Sequence, residues 1–302
     1  MSDMKLGLML GYWGSTPPTH HIQMAQQAEA LGYDSVWTAE AYGSDAITPL
    51  AWIGAQTSKI RLGTGICQIS ARTPTAMAMA ALTMDHLSNG RMILGLGVSG
   101  PQVVEGWYGA PFSKPLARTR EYIDIIRQVL ARENPVSNDG EHYPLPFTGE
   151  GSWGLGKPLK PIVHPLRADL PIMMGAEGPK NVALAAEIAD GWLPLYYSPF
   201  RQDVYSASLS NAKADFEVTQ GLVVNITDDE EKGLIPIKHM LALYIGGMGA
   251  KDRNFHKELI GRMGFEAEAE KIQDLYLAGK KDEAAMAVPT ALADGISLVS
   301  LG

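Results

Sequence analysis

Cysteine is nearly absent from this 302-residue chain, where Cys67 stands alone. A single thiol excludes an internal disulfide framework and any cysteine-rich zinc module. Charge is also sparse, at 19% of residues, and leans acidic: 25 Lys and Arg against 33 Asp and Glu give 25 − 33 = −8. That balance offers no electrostatic footprint for nucleic acid and no basic face for an anionic membrane. No apolar run reaches the roughly 18 residues that a membrane-crossing helix needs. The opening MSDMKLGLML is too short and too weakly basic for a secretory signal. His20, His21, His86, His142, His164, His239 and His256 are scattered, with no H-x-x-x-H spacing and no companion carboxylates, so no metal site is expected. What is present is 46% hydrophobic, with 32 Gly and 19 Pro, and predicts a cytoplasmic globular protein with a large core. Such a chain is an enzyme or a small-molecule binder.

The first hundred residues alternate short apolar runs with helical patterns. Lys5 to Leu10 reads as a buried strand. Ile22, Ala25, Ala28 and Leu31 then recur at three-residue steps and stop at Gly32, a helix closed by glycine. Asp34–Thr38, Ile60–Ile66 and Arg91–Leu96 are further strand runs, with helices opening at Thr48-Pro49 and Thr73-Pro74. Units of about 30 residues imply parallel strands joined by right-handed crossovers. Covered on both faces, such strands are continuous apolar runs rather than alternating ones.

A helix over about 116–132 precedes a Pro- and Gly-rich stretch, about 134–170, without helical period. It is too long for an ordinary connection and reads as an ordered insertion over the mouth of the fold. Strand signals return at Pro171–Gly175, Gly191–Leu195 and Phe216–Ile226, with a helix at Pro179–Ala189 and mostly helical sequence through Ala287. Residues 296–301 (ISLVSL) either supply an eighth strand or leave closure to a partner or a longer tail. The pattern favours one α/β domain over 1–302, a TIM (β/α)8 barrel with insertions, over an open doubly wound sheet.

Gly95-Leu96-Gly97-Val98-Ser99-Gly100 satisfies G-x-G-x-x-G after a predicted strand. A dinucleotide fingerprint needs a helix opening at its third glycine and normally sits on the first strand of its domain. Here Pro101 follows and three βα units come first. A nicotinamide-dependent Rossmann enzyme is therefore the weaker reading. In a barrel the same glycines end a strand on the face where active sites are built.

Four stretches carry a more specific likeness: AEALGYDSVWTAEAYGSDAITPLAWIGAQT, IRLGTGICQISARTPTAMAMAALTMDHLSNGRMILGLGVSG, PIMMGAEGPKNVALAAEIADGW and FEAEAEKIQDLYLAG. Together they resemble the bacterial luciferase-like monooxygenase superfamily, in its branch of oxidoreductases that use the deazaflavin coenzyme F420. The resemblance implies a TIM barrel and particular site residues. The third strand would end in a bulge behind the flavin ring, often with a cis peptide other than X-Pro, and Gly65-Ile66 sits there. Cys67 and Gln68 would reach the ring edge, although a lone cysteine on a barrel strand is more simply a small buried hydrophobe. Glu40 would be the acid that approaches the deazaflavin and accepts a hydrogen bond or tunes proton transfer; its alternative is a solvated loop glutamate.

Gly97, Val98, Ser99 and Gly100 would touch the ribityl chain or phosphate, and Gly175, Ala176, Glu177 and Gly178 would hold the phosphate. A Gly-rich turn feeding a helix at Pro179 agrees with anion binding, with Lys180 adding attraction and Glu177 opposing it. Tyr12 and Trp13 would line the substrate side or serve as plain rim aromatics. Two family features are missing: the histidine that follows the acid is Ala41, and Gly100 is followed by Pro101 and Gln102 where a glutamate is expected. The resemblance thus implies a cytoplasmic, homodimeric F420-dependent oxidoreductase of unspecified small substrate. An FMN-dependent luciferase-like monooxygenase and a non-catalytic flavin-binding protein are the alternatives.

Overall fold

A computed structural model describes residues 4–249, 251 and 254–300; Leu301, the end of the expected last strand, lies outside them. The chain forms two compact units, Met1–Gly175 with Ile188–Trp192, and Ala176–Glu187 with Leu193–Gly302.

The first unit is built of βα repeats. Strands β1 (Gly7–Gly11), β2 (Ser35–Thr38), β3 (Arg61–Thr64), β5 (Met92–Gly97), β6 (Ile172–Gly175) and β7 (Gly191–Leu193) lie in that order in one sheet, and a two-residue β4 (Cys67–Gln68) also pairs with β5. The registered pairs β1–β2, β2–β3, β3–β5, β4–β5 and β5–β6 are all parallel. The sheet is a half-barrel made of the parallel strands that the apolar runs predict, and β2 and β5 are buried along their whole length. The crossovers are α1 (His21–Ala30), α2 (Ile47–Gly54), α3 (Pro74–Leu87) and α5 (Pro115–Ala131). Gly32 has φ 81°, the left-handed conformation expected after α1. Thr73 caps α3 by accepting from Ala76 N, with Pro74 in the first turn.

A short helix α4 (Pro101–Gly106) departs from the sequence expectation. Pro101 does not stop a helix there; it starts one, because the first turn has no use for its missing N–H. The segment after α5 is held along α5 and at the end of α3. Glu121 of α5 accepts from the backbone of His142 and Tyr143, and Arg132 donates to Pro161 O. The buried Asp85 of α3 takes two bonds from Arg167, at 2.8 and 3.0 Å.

In the second unit α6 (Pro179–Ile188), α7 (Asp203–Ser206), α8 (Glu230–Gly247), α9 (Phe255–Ile260), α10 (Glu266–Leu277), α11 (Lys281–Met286) and α12 (Thr290–Asp294) accompany three short strands, β8 (Glu217–Val218), β9 (Val223–Ile226) and β10 (Ser297–Ser300). The single strand expected over Phe216–Ile226 is therefore two, interrupted around Gly221. β10 is the strand read at 296–301, and it pairs in parallel with β9 in a separate two-stranded sheet. Helix α8 packs closely on this pair: a Cβ on Gly233 would lie 2.7 Å from both Thr227 Cγ2 and Val299 Cγ1.

Candidate active site

The carboxyl ends of β1, β2, β3–β4 and β5 meet at one end of the first unit. Ala39 N donates to Gly11 O, Gly65 N to Thr38 O and Ile69 N to Gly97 O, at 2.7–3.1 Å. Between β3 and β4 the register changes. Gly63 pairs with Ile93, 93 − 63 = 30, whereas Cys67 pairs with Leu96, 96 − 67 = 29. One extra residue is therefore accommodated at 64–66, a bulge, and the Gly65-Ile66 peptide within it is cis. The glycines fit this geometry. Ile66 lies over Gly97, where a Cβ would fall 2.9 Å from Ile66 Cδ1, and the Trp37 indole covers Gly63.

Glu40 stands just past β2, where it was expected, and is buried, so it is not a solvated loop residue. Its carboxylate is turned into the protein. Oε1 accepts from Gln68 N at 2.8 Å and from Arg72 Nη1 at 3.0 Å; Oε2 accepts from Ala46 N at 3.2 Å and again from Arg72 Nη1 at 3.1 Å. Glu40 N donates to Ile66 O at 3.2 Å, so this one residue holds the bulge by its backbone N–H and the strand just after it, at Gln68 N, by its carboxylate. Arg72 also lies 3.7 Å from Asp45, and the two carboxylates outweigh burial to hold its guanidinium above the ordinary arginine range.

Gln68 is 2% exposed and its amide orientation follows from its partners. Nε2 donates to Glu40 O at 3.1 Å and Ala41 O at 2.9 Å, which leaves Oε1 buried without a hydrogen-bond partner. A buried acceptor in that condition asks for a donor. Cys67 is fully buried beside it; burial first and the Glu40 charge second push its thiol up to about 12. It is the small buried hydrophobe of the sequence reading, not a nucleophile.

Around this centre Tyr12 is exposed, and Trp13 N donates to Ser44 Oγ at 3.1 Å, which joins the loop after β1 to the loop after β2. Gly97 pairs with Gly175, Ser99 holds a left-handed φ of 59°, and the carbonyl of Gly100 receives the first N–H bonds of α4. Tyr108, unsuspected from the sequence, follows α4 and donates from its hydroxyl to Ala41 O at 3.4 Å.

In the second unit, Ala176, Glu177 and Gly178 form the turn into α6, and Gly178 O accepts from Asn181 N and Val182 N. The Glu177 carboxylate that seemed to oppose an anion is matched by His256 Nδ1 at 2.9 Å from Oε1. Arg262 Nη2 donates to Glu177 O at 3.2 Å, while its Nε is buried without a partner. Neither His256 nor Arg262 could be found from sequence, since each lies about 80 residues from the turn, with |i−j| of 79 and 85. Among the described residues no three His, Cys, Asp or Glu side chains gather as a metal site.

A family model described as luciferase-like monooxygenase matches residues 5–301. A Mycobacterium tuberculosis protein named as a coenzyme F420-dependent oxidoreductase, Rv3520c, is 59% identical over 307 aligned residues, 99% of this chain and 88% of that one. Two solved structures share the fold. The coenzyme F420-dependent tetrahydromethanopterin reductase from Methanopyrus kandleri has a TM-score of 0.77 at 24% identity, over 98% of this chain and 86% of the other. An F420-dependent secondary alcohol dehydrogenase, solved with an F420-acetone adduct, has a TM-score of 0.70 at 16% identity, over 98% and 93%.

Proposed function

The chain belongs to the luciferase-like monooxygenase family, and from that premise we propose that it is an F420-dependent oxidoreductase, moving a hydride between the deazaflavin and a small organic molecule. The observation that carries this reading is the bulge at Gly65-Ile66 with the orphaned Gln68 Oε1 beside it. A deazaflavin ring presents an imide N–H, the donor that this buried acceptor lacks. When bound, the coenzyme supplies a two-electron hydride carrier; the protein supplies position and polarity.

Gly65, Ile66 and Cys67 form the wall against the ring, Gln68 meets its edge, and Gly97, Val98, Ser99 and Gly100 offer close backbone approach. Glu40 acts through Gln68 and the bulge as a positioning residue, because its oxygens are already engaged by Gln68 N, Ala46 N and Arg72. Tyr12 and Trp13 border the substrate side. The Ala176–Gly178 turn of the second unit, taken by itself, suits an anion: α6 begins there and the partly engaged Arg262 sits against Glu177 O. The same reading takes the enzyme as a soluble, cytoplasmic homodimer.

The test is a parallel titration with F420, FMN and NADP, followed by fluorescence. Saturable binding of F420 with no response to the other two is expected. Tight FMN binding without an F420 response overturns the proposal in favour of the FMN-dependent monooxygenase.

A further inference from the structure

We propose that Tyr108 is the catalytic residue that holds, and in the reducing direction protonates, the oxygen of an uncharged carbonyl substrate. This rests on the F420 reading above and deepens it. The phenol is anchored beside the proposed ring wall: its hydroxyl reaches Ala41 O, and Ala41 adjoins Glu40, whose N–H bonds the bulge at Ile66 O. The bond to Ala41 O is long, at 3.4 Å, and that carbonyl keeps a shorter 2.9 Å bond from Gln68 Nε2. The phenol can therefore turn to a ligand oxygen without orphaning the carbonyl.

The two carboxylates of the loop after β2 are committed. Glu40 accepts from Arg72, Gln68 and Ala46, and Asp45 Oδ1 accepts from Ile47 N and Thr48 N. The groups whose charges act on Tyr108 are Glu40, Arg72 and Cys67; burial, the largest influence, together with Glu40 keeps the phenol protonated to high pH against the pull of Arg72. A protonated phenol is a donor, not a base.

Charge sets the substrate class. In the loops 12–20, 39–46, 65–73 and 98–114, Arg72 and Lys114 are the only lysine or arginine residues. Arg72 is paired with Glu40, and Lys114 with Glu141 at 2.7 Å. Neither cation is left unpaired to grip a substrate's phosphate or carboxylate. They present exposed aromatics instead, Tyr12, Tyr42 and Trp107.

In the reducing direction a hydride from the reduced coenzyme bonds to the carbonyl carbon. The C=O π pair moves onto oxygen, the Tyr108 O–H breaks as its proton goes to that oxygen, and water restores the phenol. Oxidation of an alcohol is the reverse.

The experiment uses the full-length protein with four probes: cyclohexanone, benzaldehyde and 2-cyclohexen-1-one against reduced F420, and glucose 6-phosphate against oxidised F420. Turnover of at least one neutral carbonyl in preference to the phosphate is expected. Tyr108→Phe should lower kcat about 100-fold or more, with KM and F420 affinity nearly unchanged. Wild-type kcat should fall only at a pH above the ordinary phenol range, and the variant should lack that alkaline limb. Preference for glucose 6-phosphate, turnover of none of the neutral probes, or a variant within about 3-fold of wild-type kcat overturns this inference while F420 binding keeps the parent reading intact. No F420 binding sinks both.

Discussion

Glu40 and Arg72 show how little of a site is visible one residue at a time. The sequence likeness picked out Glu40 by position, but the fate of its lone pairs depends on Arg72, 32 residues away, and on the backbone of Gln68. No spacing rule joins those three. Glu40→Ala would strand a half-buried guanidinium and two buried N–H groups, and should cost about 2–4 kcal/mol in urea unfolding. Glu40→Gln, which keeps the shape, should cost less yet still weaken F420 affinity as the grip on the bulge loosens. If Glu40→Ala unfolds at the wild-type midpoint, the network described here does not hold the site. Cys67 was legible from composition alone, because a single cysteine on an apolar strand is most simply packing. With its thiol pushed up to about 12, it should resist iodoacetamide at pH 8 in the folded protein and react at once in urea. The sign on stability follows. Above about pH 9 the unfolded chain releases this proton and the folded one retains it, so stability falls as pH rises toward 12.

At the scale of elements, periodicity carried the reading through the first unit, because parallel buried strands leave unbroken apolar runs. It failed where one residue changes the geometry. Pro101 opens α4 instead of preventing it, and residues around Gly221 split an expected strand. The bulge after β3 was legible only through family likeness; no pattern within residues 60–68 announces an extra residue. Two glycines separate folding from function here. Gly63 lies under Trp37, where a Cβ would come within 2.3 Å of the ring. Both residues are buried with no room to yield, so Gly63→Ala should cost about 3 kcal/mol. At Gly97 the neighbour is the far end of Ile66, at 2.9 Å, which can turn away. Gly97→Ala should cost only about 1 kcal/mol but displace Ile66 and weaken F420 binding. Urea midpoints and F420 titrations of both variants check this, and equal losses of stability would argue against it.

The whole molecule was the hardest scale to read from sequence. The segment at 296–301 had a strand's composition, but its partner, β9, lies more than 70 residues back, and nothing local says that the two pair in their own sheet. The helical second half likewise has clear helices and no sequence signal for how α8 stacks on β9 and β10. Ligand linkage reaches this scale. A coenzyme that binds the native fold and not the unfolded chain adds RT ln(1 + [L]/Kd), about 2.7 kcal/mol at a hundredfold excess over Kd. Domains of 150–250 residues gain about 2–4 °C per kcal/mol. A chain of 302 residues falls at or below the lower end, so F420 should raise the melting temperature by about 5 °C. Two units can also melt in separate transitions, in which case the rise is confined to the transition of the structure that binds, and the scan must be fitted to each. NADP at the same excess should leave every transition where it was, because β5, which ends at Gly97, is not the first strand of its unit and the helix after Gly100 is the six-residue α4, too short for a dinucleotide crossover. A NADP-induced rise with none from F420 would return those glycines to the Rossmann reading.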